Sequence, residues 1–292
     1  MIDFARLKSL LPRPRGHAQA APEPPTQAAT RFMGDQSGRL DAYRQAAEAY
    51  PLAVLALSPL EAAGLKQKPF DWSAGHPSFF ELMYQMLNGV QALGLPANAR
   101  VVEVGSGAGW ATCFLMGLGH KVTCVEPSAA MIAAARENLV QFATRHAFET
   151  LAPNVDFACA TFEECEIADG WADGVLFFES LHHLADERQA AAQAYRILRP
   201  GGRLAIVGEF NWKPGDEGQS ALLNAEMDRF GTLESPFTHL YLEQVLREAG
   251  FVDITRHHGV NGFIPVEREQ ASVREVSTFS AANLNNYTAR RP

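Results

Sequence analysis

The chain has 292 residues, 47% of them hydrophobic, enough for one large domain with its own core plus appended segments. A formal net charge of −8 argues against a general nucleic-acid binder, because neutralising phosphates needs a basic face. The four cysteines, Cys113, Cys124, Cys159 and Cys165, form no C-x-x-C pair, and no apolar run reaches about 18 residues, so the sequence predicts a reduced, cytoplasmic protein with no membrane span and no metal ligands.

Met1 to Leu11 has the spacing of a short amphipathic helix, stopped by Pro12-Arg-Pro-Arg15, and Gly16 to Thr30 is rich in Ala, Pro and Gln. Residues 1–30 read as a disordered tail, with a targeting peptide as the other reading. Leu40 to Leu57 is Ala-rich and helix-like, interrupted at Pro51. An aromatic, turn-rich segment, Lys68 to Pro77, precedes Ser78, an N-cap whose partner in a capping box is Glu81. The helix that follows, Phe79 to Leu93, carries an apolar stripe at Phe79, Met83, Met86, Val90 and Leu93. Residues 31–96 thus form a helical cap segment, in which Trp72, His76 and Tyr84 are either core aromatics or a lid.

From residue 97 to 268 strands and helices alternate. Predicted strands are Val101 to Val104, Lys121 to Val125, Val155 to Cys159, Gly174 to Phe178 and Arg203 to Val207; predicted helices between them are Ser128 to Gln141 and Ala185 to Leu198, the latter closed by Arg199-Pro-Gly-Gly202. Such alternation implies an α/β fold with a mostly parallel sheet covered on both faces. Two further helices, Leu222 to Phe230 and Leu240 to Ala249, lead to strands Phe251 to Arg256 and Phe263 to Val266, joined at the hairpin signal Asn261-Gly262. Residues 269–292 are polar and weakly patterned and read as an irregular tail, with Asn283 to Tyr287 as a stretch that folds back on the domain.

The stretch 101–110, VVEVGSGAGW, is strand, glycine loop and helix start in succession. That geometry brings bare backbone N–H groups and a helix N-terminus against a ligand. A dinucleotide fingerprint needs G-x-G-x-x-G, with its third glycine at position 110; that position is Trp110. The pattern is instead E-x-G-x-G-x-G, with Glu103 two residues ahead of the first glycine. A carboxylate there repels a diphosphate and suits a cation, such as the sulfonium and ammonium of S-adenosylmethionine (SAM).

Residues 79–266 resemble the class I, Rossmann-like, SAM-dependent methyltransferases, through several features in the same order. Val101 to Gly109 resembles the family's first motif; Val122 to Glu126 resembles its second-strand end, with an acidic residue for the ribose; Cys159-Ala-Thr-Phe162 resembles the third-strand end beside the adenine; Asp173 to Leu184 resembles the fourth strand and its loop; Arg196 to Arg203 resembles the turn before the fifth strand. The resemblance implies a seven-stranded sheet with an antiparallel C-terminal hairpin. It implies SAM held by Glu103, Gly105, Ser106, Gly107, Gly109, Trp110, Glu126, Pro127, Thr161, Phe162 and Glu179. Thr161, or Glu163 if the loop shifts, stands where many relatives carry Asp, and Phe162 packs either on the adenine or in the core. The segment Pro69 to Pro77 also resembles bacterial methyltransferases that act beside polysaccharide and glycolipid assembly enzymes, which implies a small-molecule or glycan acceptor.

Methyl transfer from SAM is an in-line displacement, helped at a hydroxyl by a general base. The sequence candidates at the carboxyl edge of the sheet are His182, His183 and Glu179, where open α/β sheets bind ligands. Of the two histidines, His183, beside Leu184, reads as the more structural. Glu209 to Trp212 lies at the same edge, either lining the acceptor or anchoring a loop, and His239 and Tyr241 read as a hydrogen-bonded structural pair. Two other functions share the pattern: an NAD-dependent oxidoreductase, and a non-catalytic methyltransferase-fold protein that docks a partner.

Overall fold

The structure is a computed structural model in which residues 31–32, 40–50, 78–146, 154–258, 264–265 and 284–292 are described. The predicted tail 1–30, Trp72, His76, the side chains of the Ser78 capping box and the Asn261-Gly262 turn lie outside them.

In chain order the elements are α1 Leu40–Ala49, α2 Ser78–Leu93, β1 Arg100–Val104, α3 Trp110–Gly117, β2 Lys121–Val125, α4 Ala129–His146 and β3 Val155–Ala158. Then come β4 Ala172–Phe178, α5 Glu187–Ile197, β5 Leu198–Phe210, α6 Glu217–Phe230, α7 His239–Glu248, β6 Val252–His258, β7 Ile264–Pro265 and β8 Leu284–Arg290. Several starts have a local cause. Asp186, Asp216 and Thr238 each accept a hydrogen bond from a backbone N–H three residues on, capping α5, α6 and α7. Asp216 starts α6 five residues earlier than the apolar periodicity predicts, since its first turn is polar.

The sheet has the order β3-β2-β1-β4-β5-β8-β6-β7. β1 to β5 pair in parallel, and β8 pairs antiparallel with both β5 and β6. The seven long strands form the expected mostly parallel sheet, and β7 adds a two-residue antiparallel partner to β6. Alternate residues feed two cores. Val102, Val104, Val175, Phe177, Leu204 and Ile206 face α5 and α7, whereas Val101, Val122, Leu176, Ala205 and Val207 face α2 and α3.

The C-terminal stretch corrects the sequence reading. Residues 284–290 are not an irregular tail but a strand inside the sheet. Its pattern is weak because only Leu284 and Tyr287 of its seven residues are large and apolar; Tyr287 is fully buried, and the neighbouring Asn286 is buried for a polar reason. The β5–β8 register shifts between Ile206 and Glu209, and there the Asn286 side-chain oxygen accepts the Gly208 N–H at 2.9 Å. Gly208 holds φ +79°, and a Cβ on it would lie 2.7 Å from Glu179 Cγ, so the bulge requires glycine.

Candidate active site

The carboxyl ends of β1, β2 and β4 form one half of the edge. Gly105, Gly107 and Gly109 all hold positive φ. Cβ atoms at Gly105 and Gly109 would meet Ser180 Cβ at 2.7 Å and Ala135 Cβ at 3.0 Å, so these two glycines permit close packing of the loop. At Gly107 the nearest atom is Met131 Cε at 3.6 Å, which leaves this part of the loop open to a ligand.

Glu126 ends β2 and ties the loop in place. Its two carboxylate oxygens accept the Gly107 N–H at 2.9 Å and the Ser128 N–H at 3.0 Å. Burial raises its pKa, and these two donors oppose that shift. Each oxygen retains a further lone pair, as a pair of vicinal hydroxyls requires. Pro127, half-buried, follows it.

Glu103 occupies a different setting from the one its sequence position suggests. It is 2% exposed, on the face beneath α3, and accepts the Thr112 hydroxyl at 2.5 Å. Burial pushes its pKa up to about 8; the Thr112 hydrogen bond lowers it in part, and Glu126 adds to the rise. Near neutral pH it holds its proton unless a cation lies beside it. Trp110 packs into the core on the same face, edge-on to Phe178 at 5.0 Å between centroids.

Thr161 precedes a single 3-10 turn and remains partly exposed, whereas Phe162 is 3% exposed and meets Phe177 edge-on at 5.4 Å. Phe162 is therefore corrected from cofactor wall to core ring: its side chain enters the cluster of Val104, Phe177 and Leu181.

The other half of the edge is assembled around Glu209, just past the β5 bulge. One of its oxygens accepts the N–H groups of Ser180 and Leu181 at 3.2 and 2.9 Å, and the other accepts the His182 N–H at 3.2 Å and His182 Nδ1–H at 2.7 Å. One fully buried carboxylate thus fixes the whole turn after β4, including Glu179, a non-glycine residue at φ +49°. The neighbouring backbone joins in: Ser235 N–H donates to the His182 carbonyl at 3.1 Å, bringing Glu234 beside both histidines.

His182 and His183 stack with ring centroids 4.0 Å apart but differ in charge. Burial alone would lower the His182 pKa, but Glu209, Glu234 and Glu179 outweigh it and push it up to about 9. A ring in that state holds two protons and offers no free base until it loses one. His183 is lowered, by the protein packed around it and by His182; its side chain nevertheless keeps 40% exposure. Its Nδ1–H donates to the Leu233 carbonyl at 2.6 Å, so the lone pair of the neutral ring is on Nε2.

Over this half lies the N-terminal segment. Arg31 pairs with Glu187, bonds Ser235 Oγ at 2.6 Å and stacks on Phe237 at 5.1 Å. Phe32 meets Trp212 at 4.6 Å in a cluster with Tyr43, Leu223, Met227 and Leu233, so Trp212 anchors this segment. At the other end, Ser128 Oγ–H donates to the Tyr50 carbonyl, beside Glu126. The segment therefore spans from one half of the edge to the other. Tyr241 O–H donates to Glu187 and not to His239, the partner the sequence reading gave it; Tyr84 is exposed.

Comparison with known proteins fits this arrangement. A methyltransferase-domain family model matches residues 102–206. Residues 102–206, about a third of the chain, are thus similar to that domain. It is 31% identical over 186 residues to the S-adenosyl-L-methionine-dependent Diels-Alderase iccD of Talaromyces variabilis, covering 60% of this chain and 61% of that protein. It is 30% identical over 159 residues to the O-methyltransferase cnsE of Penicillium expansum, covering 53% of each. The chain thus spans between half and two thirds of the length of these two relatives. A chain of the complex between the Haloferax volcanii Trm112 methyltransferase activator and a methyltransferase superposes with a TM-score of 0.58 at 15% identity, over 83% of this chain and 98% of that one, which shows the fold.

Two candidate site residues escaped the sequence reading. Glu234 carries no motif and is placed only by the Leu233 and Ser235 backbone bonds. Gln85 looks like an ordinary helix residue. Gly89 packs on Val207 and Leu93 lies near Gly174 at the start of β4, so α2 runs against the strands and Gln85, one turn earlier, lies toward the carboxyl edge. It is wholly buried, and neither amide atom has a hydrogen-bond partner among the described residues; the same holds for Ser180 Oγ. Ser180 Oγ, an orphaned polar atom against Gly105 of the loop, fits a polar cofactor such as SAM.

Proposed function

We propose that this chain transfers a methyl group from SAM to an oxygen of a small-molecule or glycan acceptor. The observation that carries the proposal is Glu126, whose carboxylate is held by Gly107 and Ser128 N–H groups with lone pairs left for the ribose hydroxyls. The open face at Gly107 supports a methionine end lying along the loop, and Glu103 beneath it supplies a carboxyl group that a nearby sulfonium or ammonium would draw into its charged form. Residues 97–268 together with β8 form the unit that binds both ligands, with residues 31–96 as its cap.

Bound SAM would supply the methyl: the acceptor oxygen would displace the thioether of S-adenosylhomocysteine, with the carbon–sulfur electron pair going to sulfur and the hydroxyl proton to solvent. The chain's task is alignment and exclusion of water. Glu126 and the glycine loop hold the nucleoside and methionine, the cap segment covers the edge, and the turn bearing Glu179, His182 and His183 receives the acceptor. The 30% identity to an O-methyltransferase supports oxygen as the methylated atom.

Calorimetric titration with SAM and with NAD tests the cofactor: SAM binds and NAD does not. Absence of SAM binding at high micromolar concentration would sink the proposal. A second reading, SAM-dependent cyclisation without methyl transfer, is favoured by the 31% identity to a SAM-dependent Diels-Alderase. Incubation with acceptor extracts and SAM separates the two. Transfer releases S-adenosylhomocysteine and adds one methyl to the product; cyclisation leaves SAM intact.

A further inference from the structure

We propose that His182, His183 and Glu234 bind one divalent metal ion of the zinc type, with a coordination position left for the acceptor oxygen. One donor atom from each of the three lies within 4.8 Å of the others, and among the described residues this is the group of metal-ligating side chains that converges so closely. Two imidazoles and one carboxylate are a donor set of catalytic zinc sites, which keep a fourth position open.

The orientation of the His182 ring supports the assignment independently of its proximity to Glu234. His182 gives its Nδ1–H to the Glu209 carboxylate, and His183 gives its Nδ1–H to the Leu233 carbonyl. Metal-binding histidines are oriented in this way, one nitrogen held by a protein acceptor and the other presented to the ion. His182 thereby presents Nε2, whose proton the ion replaces, whereas the His183 nitrogen nearest Glu234 is Nδ1, 3.5 Å from Oε1, so that ring turns over to present Nε2. Glu234 Oε2 lies 3.5 Å from His182 Nε2. That separation is long for a charge-assisted hydrogen bond and close to the ~3.4 Å edge of a tetrahedron with ligands ~2.1 Å from zinc. The partly exposed His183 ring has freedom to close the remaining gap.

The frame is built in advance of any ion. Glu234 sits between Leu233, which holds His183, and Ser235, whose N–H binds the His182 carbonyl and whose hydroxyl receives Arg31. Three carboxylates, Glu179, Glu209 and Glu234, surround His182, an excess of negative charge that a dication offsets. The ion's role rests on the methyl-transfer reading above. Bound to the ion, an acceptor hydroxyl releases its proton to solvent, and the resulting oxyanion attacks the methyl carbon while the electron pair leaves with sulfur.

The test uses the full chain without a polyhistidine tag, dialysed against zinc or cobalt(II) and analysed for metal by mass spectrometry. One ion per chain and a visible cobalt band of tetrahedral intensity are expected. His183→Ala and Glu234→Gln should each weaken binding at least ~10-fold, and Glu209→Gln, which removes the acceptor that orients His182, by ~10–100-fold. Circular dichroism melting separates loss of a site from loss of fold, and the exposed His183 variant is the one expected to melt as wild type. Well under one ion per chain, or unchanged affinity in folded His183→Ala and Glu234→Gln, overturns the site. SAM titration on the same samples keeps the two readings apart: SAM binding without metal overturns the ion alone, and metal binding without SAM overturns the methyl-transfer reading.

Discussion

Along the carboxyl edge, the cofactor half closes over short stretches of chain, whereas the acceptor half is tied together from distant ones. Gly107 and Glu126 are 19 positions apart, and Glu126 and Ser128 are two. On the other side, Glu209 reaches His182 across 27 positions, Leu233 reaches His183 across 50, and Asn286 shapes the Gly208 bulge from 78 away. The first half is made mainly of backbone conformation, three glycines at positive φ with one carboxylate to lock them. The second is made of buried charge, and its geometry is only as good as the strands that deliver it. A cofactor site of the first kind tolerates change at a distance; an acceptor site of the second kind transmits it.

That contrast can be broken experimentally, beginning with its strongest point. Glu209→Ala leaves three backbone N–H groups and His182 without their acceptor and should cost about 3–5 kcal/mol in chemical unfolding. A loss under about 1 kcal/mol would show that Glu209 does not organise the turn. Next is Glu103→Gln, read as a pH dependence. The folded protein holds the Glu103 proton up to about 8 against an ordinary value of 4.5, so stability is complete below 4.5 and is lost as pH rises through about 8. Urea unfolding at about pH 5 and about pH 9 should show the variant gaining on wild type by several kcal/mol across that window, and no relative gain would mean that Glu103 ionises freely when folded.

Gly107→Arg fills the open face of the loop and should weaken SAM binding by at least about 100-fold, equivalent to ~2.7 kcal/mol, while sparing metal uptake in the acceptor half. Loss of both together would erase the distinction between the halves. Asn286→Ala should be milder, about 1–2 kcal/mol for the unpaired Gly208 N–H, and should disturb cobalt coordination while leaving SAM affinity within about 2-fold. Phe162→Leu tests the smallest claim. As a core ring it should lower stability by about 1 kcal/mol, read as a fall of a few degrees in melting temperature, with SAM affinity unchanged.

The same contrast explains what the sequence disclosed. Strand alternation, the glycine loop and Glu126 lie within one short run of chain, so their spacing carries their geometry. Glu103 was visible as a residue but not as a buried group, because the Thr112 that covers it comes from the next helix. Phe162 was ambiguous because a ring at a strand end packs inward or outward with the same composition. His182 and His183 were found as a pair but not their separate states: the deciding groups, Glu209, Glu234 and the Leu233 carbonyl, come from β5 and the α6–α7 connection. The strand at Leu284–Arg290 was hidden for a related reason. Its pairing depends on backbone and on two side chains, Asn286 and Tyr287, rather than on an apolar alternation.

The place of β8 between β5 and β6 has a consequence for how the protein is made. During synthesis β5 and β6 both leave the ribosome before the strand that joins them. Until it arrives, β5 presents an unpaired edge beside a growing parallel sheet, and β6 has no neighbour of its own in the main sheet. A nascent chain halted between the two therefore carries a formed glycine loop and an open strand edge at once, able to bind cofactor but also to pair with the wrong partner.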